Sequence, residues 1–282
     1  MFNFIFYAFI LGVSINAYAV EVSTTINEGI NALADYHEGD EDKPAVVILH
    51  GILQTKNFST IKSISNHLVE EDYTVLAPTL SLGIDNRVES LSCEAIHTHS
   101  MESDIAEIST WIRWLKKRTN KPIILIGHSA GATQLIAYLD KYKGEIKQPA
   151  KVILISLAYF ADQPNSHTSS ESINKARKSL ANKVIQPDKY GFTYCKEYVS
   201  TPEAYLSYID WSRDKVTEKL LELDSSFSLL FGSADKRVDQ SWPPELKEKG
   251  LDVTIVKDAN HFFHAFHEFD LIDYIDGVLE KD

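Results

Sequence analysis

Five consecutive residues, Gly127-His128-Ser129-Ala130-Gly131, stand between the apolar run Ile123-Ile124-Leu125-Ile126 and residues 132–139, a segment with the composition of a buried helix. The run before them reads as a buried strand, so the serine falls on a tight strand-to-helix turn. A serine at such a turn has unusual backbone angles. Its neighbours at −2 and +2 must therefore be small, which is the physical reason for glycine at 127 and 131. The turn lifts the hydroxyl above a sheet and aims the first helical amides at the same point. The pattern thus constrains the chain to alternating strands and helices, with a candidate nucleophile at the top of a central strand.

A serine hydroxyl is a weak nucleophile at neutral pH. It needs a positioned base, usually histidine, and a carboxylate to orient that base. Downstream, the strand candidate Phe227-Ser228-Leu229-Leu230-Phe231 runs into Gly232-Ser233-Ala234-Asp235. A helical stretch over 244–249 follows, then the strand candidate Val253-Thr254-Ile255-Val256 and Asp258-Ala259-Asn260-His261. Asp235 and His261 each lie a few residues past a strand, in the order serine, acid, histidine. Asp239 follows the same strand as Asp235 at a greater distance and suits a surface role. His264 and His267 crowd the base position but belong at or inside a final helix. His128 and His50 read as structural, the first packed beneath the serine and the second shaping the turn after residues 46–49.

These residues are similar to those of the α/β-hydrolase superfamily, over about residues 44–279. His50-Gly51 after the strand Val46-Val47-Ile48-Leu49 resembles the family's oxyanion turn, Gly127 to Gly131 its elbow, Gly232 to Asp235 its acid loop, and Ala259-Asn260-His261 its histidine loop. The resemblance implies Ser129 as nucleophile, His261 as base and then acid, and Asp235 as orienting carboxylate. It also implies an oxyanion hole made by the backbone amides of Ile52 and Ala130. Serine at 129 excludes the relatives that use an aspartate or cysteine nucleophile.

The expected fold is an α/β-hydrolase fold, a mostly parallel central sheet with helices on both faces and a helical cap insertion. Residues 58–71 carry Ile61, Ile64 and Leu68 on one helical face, and residues 101–118 carry Ile105, Ile108, Ile112 and Leu115, with Ser100 as N-cap. Residues 74–77 read as a strand stopped by Pro78, and residues 151–158 as the strand after the elbow helix. Residues 20–43 read as a short lead-in strand or strap. The rhythm breaks over residues 159–224, the expected cap. There, residues 190–211 hold seven aromatics against 11% for the whole chain, which suggests an apolar acyl or aryl pocket or the cap's own small core.

Composition narrows the partners. A net charge of −12 with no basic stripe argues against nucleic-acid binding. His97 and His99 alternate on a polar loop, where solvent-facing or capping roles are expected. No carboxylate spacing completes a ligand set, so neither metal nor cofactor is expected.

The first nineteen residues carry no charge. Phe4 begins a ten-residue apolar run, too short to span a bilayer comfortably, and Ala17-Tyr18-Ala19 follows as an A-x-A-like cleavage site. Residues 1–19 are therefore expected to be a signal peptide cleaved after Ala19. Residues 20–282 would be a secreted or periplasmic domain with no stable membrane insertion. In an oxidising compartment the two cysteines, Cys93 and Cys195, are expected to form a disulfide that ties the insertion down beside the site.

The expectation is an exported serine hydrolase acting on small-molecule carboxylic esters or acyl compounds with an apolar moiety. An amidase or peptidase, a thioesterase, an acyltransferase, or a non-catalytic binding protein of the same fold remain open.

Overall fold

The computed structural model describes residues 19–145, 147–161 and 163–281. Apart from Ala19, the expected signal peptide lies outside the described residues. Eight strands form one sheet, β1 (Val20–Asn27), β2 (Ile30–His37), β3 (Ala45–Leu49), β4 (Thr74–Thr79), β5 (Ile123–His128), β6 (Lys151–Ile155), β9 (Phe227–Gly232) and β10 (Asp252–Val256), in the order β1-β2-β4-β3-β5-β6-β9-β10. A separate hairpin pairs β7 (Asp188–Phe192) with β8 (Cys195–Ser200). From β4 to β10 every pairing in the large sheet is parallel.

Side chains alternate across each strand, and in the central strands β3, β5 and β6 both faces are covered, which is why those sequences read as apolar runs. Val47, Leu49, Leu125, Leu154, Leu229 and Phe231 point into one core with α2 (Met101–Lys116) and α3 (Ala130–Lys141). Val46, Ile48, Ile124, Ile126, Ile153 and Ile155 point into the other, against α1 (Ser59–Glu70) and α8 (His267–Leu279). The predicted faces of α1 and α2 are the buried ones. Ser100 caps α2 by accepting from the Ser103 amide, and the Ser103 hydroxyl reciprocates.

Three elements differ from the sequence reading. The lead-in is a full antiparallel hairpin, β1 with β2, whose second strand joins the sheet along β4. Pro78 does not stop β4. It lies past the last β4 residue paired to β3 and faces only Ala34 of β2, so its missing N–H removes no ladder bond to β3. The strand after the elbow helix ends at Ile155, where Ser156 turns to φ 47°.

Between β6 and β9 lie α4 (Ser170–Ala181), the β7–β8 hairpin, α5 (Pro202–Ile209) and α6 (Arg213–Glu222). Helices were expected there and the hairpin was not. Six of the seven aromatics in residues 190–211, Tyr190, Phe192, Tyr198, Tyr205, Tyr208 and Trp211, are buried in a core shared with the sheet, α2 and α3, and only Tyr194 is exposed, at 41%. Cys93 and Cys195 form a disulfide. Beside it the Val199 amide donates to the Cys93 carbonyl and the His97 amide to that of Val199, so the long loop before α2 is laced to β8. α7 (Trp242–Glu248) completes the fold between β9 and β10. Among the described residues no helix is long and apolar enough to cross a membrane.

Candidate active site

Ser129 sits between β5 and α3 with φ 55° and ψ −121°, a left-handed conformation forced by the tight turn. The two flanking glycines are explained by what a side chain would meet. A Cβ on Gly131 would lie 2.5 Å from the His50 carbonyl oxygen, and one on Gly127 would lie 2.7 Å from the Ala132 backbone.

The elements bring the serine, the histidine and the acid together. His261 Nε2 lies 2.8 Å from Ser129 Oγ, and His261 Nδ1 lies 2.7 Å from Asp235 Oδ2. An ionised carboxylate only accepts, so Nδ1 carries the proton and Nε2 presents its lone pair to the hydroxyl. All three side chains are buried, with Asp235 at 1% and His261 at 4% exposure. The second Asp235 oxygen, Oδ1, accepts from the Arg237 amide at 2.8 Å.

Two loops carry the acid and the histidine, and backbone bonds lock them together. The Ala234 amide donates to the Ala259 carbonyl, and the Ser233 amide to that of Val256. The His261 carbonyl accepts from His128 Nε2 and from the Ser156 hydroxyl, both at 2.9 Å, which fixes the ring from behind. His128 is thus the packed histidine expected beneath the serine. Burial, with smaller contributions from His261 and Arg237, pulls it down to about 3, so it stays neutral.

His50 shapes the turn after β3. Its Nδ1–H donates to the Gly51 carbonyl and its Nε2 accepts from the Leu80 amide at 3.0 Å. Burial first, then the Arg87 charge, lowers it to about 3, so this tautomer is neutral. Ile52 and Ala130 line one cavity together with Ser129 and His261. Ala130 opens α3, so its amide is among the first-turn N–H groups that no helical carbonyl can reach.

The competing residues lie elsewhere. Asp239 pairs with Arg213 at 2.7 Å. His267 begins α8 and pairs with Asp270, while His264 is exposed near Ser59. His97 and His99 depart from expectation, for both are buried. His97 stacks on Tyr198, and His99 donates through Nδ1 to the Tyr208 hydroxyl at 2.6 Å, which in turn donates to Asp104. Their partners lie about a hundred residues away in sequence and so gave no local signal. Among the described residues no group of three or more His, Cys, Asp or Glu could hold a metal ion.

The cavity beside Ser129 measures about 250 Å³. Ile52, Ala158, Phe160 and Pro164 give it an apolar wall, while Thr193, Tyr194, Lys236 and Arg237 form a polar rim that sequence reasoning missed. The available signal was the pair of cations directly after Asp235 in an acidic chain. A larger cavity of about 630 Å³ lies among residues 119–123 and 147–150, at the amino ends of β5 and β6. Ligand sites of open parallel sheets form at the carboxyl ends, where Ser129, Asp235 and His261 stand.

A family model described as alpha/beta hydrolase fold matches residues 44–190, more than half of the chain. Among solved structures, Est1E from Butyrivibrio proteoclasticus is similar with a TM-score of 0.62 at 14% identity, over 93% of this chain and 98% of that one. An esterase of Pyrococcus furiosus gives 0.61 at 16% identity, over 93% and 90%. A putative lipase from Acinetobacter baumannii gives 0.60 at 16% identity, over 94% and 92%. No curated protein matches significantly.

Proposed function

The chain belongs to the α/β-hydrolase family, and on that premise we propose that it is an exported serine hydrolase cleaving small carboxylic esters through Ser129, His261 and Asp235. The observation that carries this reading is the unbroken hydrogen-bond chain from Asp235 through His261 to Ser129, opening into a cavity at the carboxyl ends of the strands.

Ser129 Oγ attacks the ester carbonyl while its proton passes to His261 Nε2. The imidazolium is stabilised by Asp235, and the oxyanion rests on the amides of Ile52 and Ala130. In such a hole each donor is worth about 3–4 kcal/mol in the transition state. Collapse breaks the bond to the leaving alkoxide, which takes the proton from His261 and departs as alcohol. Water, deprotonated by the same nitrogen, then attacks the acyl-enzyme. The acid leaves and the proton returns to Ser129.

The cavity volume favours short substrates, since pockets for drug-sized ligands run to roughly 300–1,000 Å³. Residues 159–224 act as a cap, with Phe160, Thr193 and Tyr194 along the cavity wall. The uncharged leader sequence and the Cys93–Cys195 bridge support export to an oxidising compartment.

The test is hydrolysis of p-nitrophenyl esters from acetyl to palmitoyl by the mature protein and by Ser129→Ala, with matched amide and thioester substrates alongside. Turnover greatest at the short esters and lost in the variant is the expected result. Labelling of Ser129 by a fluorophosphonate without ester turnover would redirect the reading to amide, thioester or acyl-transfer chemistry. Absence of both labelling and turnover in the folded protein would leave a non-catalytic binding protein.

A further inference from the structure

The cavity rim opposite Ser129 has a charge that the protein as a whole does not. The chain carries −12, yet the side chains that bring a full charge to this cavity are two cations, Lys236 and Arg237. Some cations of this acidic protein find carboxylates. Arg213 takes Asp239 and Glu245, and Lys56 takes Glu21 and Asp35. Among the described residues no carboxylate pairs with the Arg237 guanidinium. It lies instead between two rings, 5.0 Å from the Tyr194 centroid and 4.9 Å from that of Phe262.

That setting holds the group in place without neutralising it. Aromatic faces attract a guanidinium and fix its plane, but they leave the N–H edge free for a planar anion. The backbone is anchored equally well. The Arg237 amide donates to Asp235 Oδ1, and the neighbouring Lys236 carbonyl accepts from Asn165 Nδ2 at 2.8 Å. The cation is therefore held at a set distance from the group that orients His261, and the loop is pinned to the opposite wall.

We infer that the site selects short esters bearing a carboxylate on the acyl or alcohol part, and that Arg237, with Lys236 beside it, is the residue that reads that carboxylate. This rests on the esterase reading and deepens it. An exposed anionic ester would gain little from a protein of this net charge at long range, so the selectivity must arise inside the cavity, where a two-pronged Arg–carboxylate contact is strong and directional. The free carboxylate meets the guanidinium while the scissile carbonyl reaches Ser129. The volume of about 250 Å³ limits the spacer between them to a few bonds.

The experiment compares monomethyl glutarate with methyl pentanoate, its uncharged analogue, by pH-stat for the wild type, Arg237→Gln, Arg237→Lys and Lys236→Gln. The quantity read is the ratio of the two kcat/KM values, in which any general loss cancels. The wild type is expected to prefer the anionic ester by about tenfold or more, the gain of one charge-assisted contact. Arg237→Gln is expected to bring the ratio towards one, chiefly through KM, with Arg237→Lys and Lys236→Gln intermediate. In the wild type alone, raising the ionic strength should erode the preference by slowing only the anionic ester. A wild-type ratio near one, or a ratio unchanged in Arg237→Gln, overturns the inference while leaving the esterase reading intact. Failure to hydrolyse either ester together with no fluorophosphonate label on Ser129 overturns both.

Discussion

His261 Nδ1 stands 2.7 Å from Asp235 Oδ2, and the carboxylate's other oxygen is held by the Arg237 amide at 2.8 Å, so neither partner can rotate without breaking a buried bond. Asp235→Asn keeps the shape but not the chemistry. Its single carbonyl oxygen can satisfy the Arg237 amide, which turns the amide NH2 towards Nδ1 and selects the tautomer with the proton on Nε2. That tautomer cannot take the Ser129 proton. The expected loss in kcat is about 10⁴-fold, the size of the equivalent change in serine proteases. Thermal unfolding should remain near that of the wild type. An activity within tenfold of wild type would remove Asp235 from the mechanism.

Gly232 is where the acid loop and the histidine loop touch. A Cβ there would come within 2.2 Å of the Ala259 carbonyl oxygen, two residues before His261. Backbone cannot yield cheaply, so Gly232→Ala should push the two loops apart at a cost of about 1–3 kcal/mol. Because a displacement of about 1 Å at a catalytic group costs on the order of 100-fold, kcat/KM should fall by about that factor. Gly277 is the control. It lies in α8 with open space around it, and Gly277→Ala should stabilise by about 0.5–1 kcal/mol with activity unchanged. Urea unfolding and initial rates on both variants check the pair, and equal effects would refute the steric account.

The Cys93–Cys195 bridge closes a loop with a sequence separation of 102 residues. The chain-entropy model assigns a loop of that size about 4–5 kcal/mol. At about 2–4 °C per kcal/mol for a domain of this size, reduction or a Cys93→Ala/Cys195→Ala pair should lower Tm by roughly 10 °C. The loss should reach the site as well. Tyr194, next to Cys195, lines the cavity, and the Leu91 amide near Cys93 donates to the Leu53 carbonyl in the turn that carries Ile52. Scanning calorimetry with and without reductant measures the first effect, and KM for a short ester the second. An unchanged Tm on full reduction would assign the bridge no structural weight.

Those tethers also mark where the sequence stopped being readable. The elbow, the acid loop and the histidine loop could be read because each is a short local signal, a turn residue set directly after an apolar strand. The mostly parallel sheet covered on both faces followed from the alternation of strands and helices. What escaped depends on partners far along the chain. His97 and His99 look like solvent-facing loop residues until Tyr198 and Tyr208 arrive from the insertion to bury them. Pro78 looks like a stop until β2 takes the position beside it. The β7–β8 hairpin was hidden because its aromatics fit a helical core equally well. Arg237 escaped because only the assembled cavity shows which of 28 basic residues lies between two rings at the site.

Glu107 gives the protein a pH dependence that can be isolated. It is buried at 2% exposure and its oxygens accept from the Ser81 amide at 2.7 Å and the Ser81 hydroxyl at 2.5 Å. Burial pushes its carboxyl up to about 7 and Asp104 adds to the rise, while the two Ser81 bonds and Arg87 oppose it. The folded state therefore binds a proton that the unfolded chain, titrating near 4.5, has already released. The resulting stabilisation is full below about 4.5 and is lost as pH rises through about 7. Glu107→Gln keeps an acceptor for the Ser81 amide and a donor for its hydroxyl but carries no charge at any pH. Relative to the wild type it should gain stability between pH 5 and pH 8, by up to about 3 kcal/mol from a shift of this size. His50 and His128, both lowered to about 3 by burial, act in the opposite direction below pH 6.5, but they are common to the two proteins and cancel in the difference. Urea unfolding of both proteins at the two pH values measures it. A difference that does not change with pH would mean that Glu107 is already ionised throughout that range, with Arg87 outweighing burial.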